Sequence, residues 1–159
     1  MRFRVGQGYD VHALVPGRPL ILAGVRFDSP VGLLGHSDAD VLTHALIDAL
    51  LGAAALGDIG ALFPDSDERH RGADSLHMLA RVREAVVAQG WSIANVDCTV
   101  VAQQPKIAPR VAEMRERLAG ALQLAVADIS IKGKTTEWLG FTGRGEGIAA
   151  LAVAALVSG

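Results

Sequence analysis

Apolar and polar positions change their spacing several times along the chain, and each change marks an element. RFRVGQG near the start and LILAGVRF (20–27) are β-rich, with Gly and Pro between them, and read as strands. SDADVLTHALIDALLGAAALG (37–57) is apolar nearly all round and reads as a helix, with Ser37 and Asp38 as candidate N-caps and Gly57 as a stop. DIGALFPDSDERHRG (58–72) is crowded with turn formers and reads as a loop. ADSLHMLARVREAVVAQG (73–90) is an amphipathic helix ending at Gly90. SIANVDCTVVAQQP (92–105) is a strand stopped by Pro105, APRVAEMRERLAGALQL (108–124) a helix, and DISIKGKTT (128–136) a strand followed by the glycine-rich GFTGRGEG (140–147). The final IAALAVAALVSG fits two elements. Alanine favours helix, whereas apolar residues at nearly every position suit a strand buried on both faces. Strands mixed with helices predict an α/β or α+β layered fold. With no repeat, low-complexity tract or linker, residues 1–159 read most simply as one domain.

Composition narrows the setting. Hydrophobic residues make up 50% of the 159 positions, charged residues 20%, and mean hydropathy is +0.32. No run approaches the ~18 apolar residues of a membrane helix. The apolar surplus therefore belongs to a core, an interface or both. A net charge of −2 provides no basic surface for nucleic acid or membrane, and 4% aromatics leave few stacking platforms. Cys98 is the only cysteine and cannot form an internal disulfide, which fits a reducing compartment. MRFRVGQGYD lacks the apolar core of a signal peptide, so a cytoplasmic protein is expected.

Candidate chemistry begins at GYDVHAL (8–14). Asp10 and His12 are two apart on a strand and share a face, so they can converge on one point. In the helix at 37–57, Asp40, His44 and Asp48 are spaced four apart and share a helix face. They form either a solvated polar stripe or a site. The apolar flanks favour the site, because a buried charge needs a partner. One carboxylate and two imidazoles (Asp10, His12, His44) suit zinc, and three protein ligands leave a tetrahedral ion one open position. Asp48 or Asp40 is the expected partner that orients a ligating imidazole.

Other motifs say less. KGKTT (132–136) shares the end of a phosphate-binding loop, but Asp128 stands where that loop needs its first glycine. GRGEG has the wrong spacing for a dinucleotide fingerprint; its glycines fit an anion-cradling nest or a tight hairpin turn equally. Glu137 beside Thr135 and Thr136 either holds Mg²⁺ against a phosphate chain or is an exposed turn residue. AQQPKIAP (102–109) offers backbone groups and Lys106 to a base or a phosphate. His70 and His77 read as ordinary surface residues.

Taken together, GYDVHAL, HSDADVLTHALIDALLGAAALGDIGALFPDSD and KTTEWLGFTGRGEGIA closely resemble the 2-C-methyl-D-erythritol 2,4-cyclodiphosphate synthase family, in its order and over nearly the whole chain. The resemblance implies an enzyme of the non-mevalonate isoprenoid route. It would convert 4-diphosphocytidyl-2-C-methyl-D-erythritol 2-phosphate into the cyclic diphosphate and CMP. It implies a chorismate-mutase-like homotrimer with active sites between subunits, built on a mixed four-stranded sheet with helices on one face. The final segment would be a strand paired with residues 128–136. Zinc is implied on Asp10, His12 and His44, and Mg²⁺ or Mn²⁺ at Glu137. His36 and Thr135 match positions that stabilise the transition state, with His36 and Ser37 in a mobile loop. Asp58, Ile59, Gly60, Phe63, Asp65 and Asp67 would surround the methylerythritol. Ala102, Pro105, Lys106, Ile107 and Ala108 would line the cytidine pocket, with Thr136, Phe141 and Arg144 completing the substrate site. Gln7 and Leu151 depart from members whose histidine and glutamate there help bind an isoprenoid diphosphate in the central channel.

The implied reaction needs no strong base, since the attacking phosphate is already an anion. What opposes it is repulsion: two unit charges 4 Å apart repel by roughly 4 kcal/mol at an effective dielectric of 20. Two other uses of the same residues are a metal-dependent phosphohydrolase, with water as nucleophile, and a non-catalytic trimer that senses nucleotides.

Overall fold

The computed structural model describes residues 1–159. A long first strand, β1 (Arg2–Pro16), is followed by β2 (Leu20–Leu22), β3 (Val25–Phe27) and β4 (Val31–Leu33). Then come α1 (Val41–Ala54), the single-turn α2 (Ile59–Leu62), α3 (Ser75–Ala88) and β5 (Ser92–Val101). The chain closes with α4 (Val111–Leu122), β6 (Ile129–Lys134), the short α5 (Gly140–Gly143) and β7 (Gly147–Ser158).

The central sheet has five strands in the order β4-β1-β7-β5-β6, one more than the expected four, because β4 pairs with the far end of β1. Only β5 and β6 run parallel. The final segment is a strand, but it does not pair with 128–136. It lies between β1 and β5, antiparallel to both. Apolar side chains on both faces suit a central strand, whereas β6, with Lys132 and Lys134, suits an exposed edge. The apparent strand at 20–27 is a hairpin whose two turn residues, Ala23 and Gly24, take φ of 51° and 70°. GFTGRGEG forms the helical turn α5 and the entry to β7 rather than a tight hairpin, with Arg144 in αR conformation followed by Gly145 at φ 70° between them.

Helix α1 lies against β1 and β7, with α3 and α4 beyond it on the same face. Leu42, Leu46, Ile47, Leu50 and Leu51 are fully buried, each contributing ~1.5–3 kcal/mol relative to exposure. Contact is close because β1 offers no side chain there. A Cβ on Gly8 would fall 1.8 Å from the Ala45 carbonyl oxygen, and one on Gly6 2.0 Å from that of Ala49. The N-cap of α1 is Asp40, not Ser37 or Asp38. Its buried carboxylate accepts from Thr43 N and also from Ala23 N (2.9 Å) and Gly24 N (2.8 Å), so it ties the hairpin to the helix. The helix stops at Ala55 in a left-handed conformation, two residues before Gly57. The opposite face of the sheet leaves Phe3, Val5, Tyr9, Val11 and Val153 exposed.

Candidate active site

Asp10 and His12 project from β1 toward α1, where His44 meets them from the first turn of the helix. Asp10 Oδ2 is 2.9 Å from His12 Nε2 and 3.2 Å from His44 Nδ1, and the two ring nitrogens are 3.2 Å apart. The three ligand atoms lie within 4.8 Å of one another. Burial raises the Asp10 carboxyl, but hydrogen bonds from His12 and His44 outweigh it and hold it at about 2. Burial lowers the His12 imidazole, and the Asp10 bond together with the Leu34 carbonyl carries it above its ordinary value.

The outward nitrogens are also occupied. His12 Nδ1–H donates to the Leu34 carbonyl (2.6 Å), which leaves Nε2 for the cluster. His44 Nε2 faces Ser75 Oγ at 2.9 Å and Ser37 Oγ at 3.1 Å. Rings pinned on their outer edge, with inner atoms turned to one point, have the donor set of a metal site. The expected orienting carboxylates are not used this way. Asp40 is committed to the α1 cap, and Asp48 accepts from Ile59 N (2.7 Å), fastening α2 to α1. Burial raises both carboxyls. Ser75 carries no signal in the sequence, where it lies within the helix read over 73–90; in the structure it is the first residue of α3, capped by Asp74.

Asp10, His12, His36, Ser37, His44, Ile59, Gly60, Phe63 and Asp65 line one cavity of about 320 Å³. His36 Nε2 is buried there without a hydrogen-bond partner. A buried polar atom left unpaired costs ~1–3 kcal/mol, so this nitrogen is suited to a ligand. Arg18 fastens the 33–37 loop by donating to the carbonyls of Leu33, Gly35 and Ser37. Asp58 caps α2 through Ala61 N. Asp67 faces a neighbouring hollow, where hydrogen bonds from Arg69 hold its carboxyl at about 2.

A second cavity of about 200 Å³ is lined by Ala102, Pro105, Lys106, Ile107, Ala108 and Thr135. Beyond it Thr135 donates to Glu137 (3.2 Å), and Glu137 and Trp138 take φ of 50° and 68°. Left-handed backbone at non-glycine residues costs on the order of 1–3 kcal/mol. Thr136 donates to the Leu139 carbonyl, Phe141 is partly exposed, and Arg144 pairs with Glu146 at 3.0 Å beside a hollow that Trp138 also lines. The two cavities share no residue. Across the sheet Asp10 aligns with Ala150, Val100 and Gly133. Three strand spacings of about 4.8 Å therefore separate them by roughly 14 Å.

Fold and site define an α/β protein with a candidate metal centre at one end of its sheet and a separate small cavity beside β5 and β6. The chain belongs to the YgbB family, whose model matches residues 3–157. It is 58% identical over 156 residues, 98% of each chain, to the 2-C-methyl-D-erythritol 2,4-cyclodiphosphate synthase of Synechococcus elongatus. Among solved structures it resembles the bifunctional IspDF of Campylobacter jejuni, at 44% identity and a TM-score of 0.94, over 98% of this chain and 42% of that longer one. It also matches IspF of Plasmodium falciparum in a CDP complex, at 34% identity and a TM-score of 0.87, over 98% and 96% of the two chains.

Proposed function

We propose that the chain converts 4-diphosphocytidyl-2-C-methyl-D-erythritol 2-phosphate into 2-C-methyl-D-erythritol 2,4-cyclodiphosphate and CMP, a lyase step of non-mevalonate isoprenoid synthesis in the cytoplasm. The observation that carries this reading is the Asp10–His12–His44 cluster opening into the cavity that holds the unpartnered His36 Nε2. Membership of the family and a relative solved as a CDP complex support the substrate class.

The 2-phosphate oxygen attacks the β-phosphorus, the bond from that phosphorus to the bridging oxygen breaks, and CMP departs with the electron pair. Asp10, His12 and His44 would hold Zn²⁺ and Glu137 Mg²⁺ or Mn²⁺; when bound, these supply the positive charge that offsets phosphate repulsion. His36 would donate from Nε2 to a phosphate oxygen and stabilise charge in the transition state, with Ser37 beside it; the unpartnered His36 Nε2 supports this. Thr135 exchanges its bond to Glu137 for one to the diphosphate, next to Thr136. Asp58, Ile59, Gly60, Phe63, Asp65 and Asp67 surround the methylerythritol and hold the phosphate in line for attack. Ala102, Pro105, Ile107 and Ala108 enclose the base, Lys106 meets the nucleotide phosphate, and Phe141 and Arg144 close the site.

The roughly 14 Å between the two halves within one chain favours a site completed by a second copy. Burying Phe3, Val5, Tyr9 and Val11 against neighbours would form the homotrimer and join the metal half of one copy to the nucleotide half of the next. Product analysis tests the reaction. Wild-type protein with substrate yields CMP and a cyclic diphosphate in equal amounts; free phosphate would mean a phosphohydrolase, and binding without turnover a sensor.

A further inference from the structure

We propose that Ser75, anchored by Asp38, is a positioning residue for the metal centre, fixing His44 in the tautomer that leaves Nδ1 open to a cation. This rests on the metal reading of the Asp10–His12–His44 cluster.

The direction of each hydrogen bond follows from what the groups can do. A carboxylate only accepts, so the Ser75 hydroxyl, in a short hydrogen bond with Asp38 Oδ1, donates to it. Toward His44 Nε2, 2.9 Å away, Ser75 Oγ is then left as an acceptor. While no cation is bound, the Asp10 carboxylate, 3.2 Å from Nδ1, competes with Ser75 for the imidazole proton; with a cation held there, Ser75 keeps the proton on Nε2 and leaves the Nδ1 lone pair to the metal. Ser37 Oγ also lies 3.1 Å from Nε2 but touches no anion that would set its direction.

The arrangement is held from several sides. Ser75 is fully buried, and Asp38 also accepts from Ser75 N (2.9 Å) and Asp40 N (3.2 Å). Asp38 N donates to the Ala73 carbonyl, so the loop before α1 and the start of α3 close around the outer edge of His44. An anion behind a hydroxyl behind an imidazole makes the far nitrogen a stronger donor to a metal, and removing such a partner typically weakens metal affinity 10–100-fold.

The test is a zinc titration of metal-free protein against a chromophoric chelator, with the melting curve of each metal-free variant recorded alongside. Ser75→Ala should raise the zinc Kd by about 10–100-fold, and His44→Ala should abolish tight binding. Wild-type affinity in a folded Ser75→Ala protein, with His44→Ala still defective, overturns the positioning role and leaves the metal reading intact. Failure of wild type to bind zinc, or equal binding by His44→Ala, overturns the metal reading itself. If Ser75→Ala does not fold, long-range ¹H–¹⁵N correlation spectra of metal-free wild type read the tautomer directly, before a metal can impose it. A proton on His44 Nε2 is expected, and a proton on Nδ1 overturns the proposal.

Discussion

Gly8→Ala adds a single methyl group at the contact on which the site depends. The new Cβ would fall 1.8 Å from the Ala45 carbonyl oxygen and 2.9 Å from Ala49 N. Ordinary contact begins near 3.5 Å, so strand and helix must part by about 1.7 Å. The obstacle is helix backbone, which cannot rotate away as a side chain can. The cost therefore belongs at the upper end of the overpacking range, about 3 kcal/mol. For a chain of this length each kcal/mol lowers the melting temperature by ~2–4 °C, so a drop of roughly 6–12 °C is expected. Asp10 lies two residues beyond Gly8 on the same face, and His44 directly precedes Ala45. The same retreat opens their 3.2 Å contact, and a misplacement of ~1 Å can cost about 100-fold in rate. Thermal unfolding by circular dichroism, zinc titration and turnover would be measured on one preparation. A Gly8→Ala protein that melts, binds zinc and turns over like wild type would refute the close packing of β1 on α1.

Other substitutions separate the parts of the account. Gly120, in α4, has open space around its missing Cβ, so Gly120→Ala should raise stability by ~0.4–1 kcal/mol in a denaturant titration, with activity unchanged. His44→Ala should lose most bound zinc and nearly all turnover while keeping its fold, as read by metal analysis and circular dichroism. Glu137→Gln preserves size and removes charge; turnover should collapse while zinc stays bound, and an unchanged Mg²⁺ dependence would leave Glu137 an ordinary surface residue.

Local features of this fold were legible in the sequence wherever local chemistry decides them. Asp10 and His12 share a strand face by spacing alone, and the apolar surroundings of His44 marked it as buried. Ser37 and Asp38 read as caps for the start of α1, but Asp40 takes that place, its oxygens also meeting Ala23 N and Gly24 N, which are remote in sequence. The same commitment removed Asp40 as a partner for His44. Ser75, 31 residues from His44, takes that place through tertiary packing that no spacing rule reports. Alanine propensity and burial disagreed over the final segment, and its pairing with β1 and β5 decided for strand, as central position outweighs a small intrinsic preference. The order of the strands is likewise a matter of long-range pairing, which is why β7 was expected beside β6 and lies beside β1 and β5 instead.

A site that is cyclising, metal-dependent and shared between copies is tested most directly by mixing two inactive variants. His12→Ala damages the metal half and Glu137→Gln the nucleotide half. The two are unfolded and refolded together in equal amounts, mixed assemblies are verified by mass, and formation of the cyclic diphosphate is measured. If each site takes its halves from neighbouring copies in a ring, about one site in four is intact, and activity returns to roughly a quarter of wild type. If both halves belong to one chain, every site carries a lesion. Verified mixed assemblies that form no cyclic diphosphate would contradict the shared site.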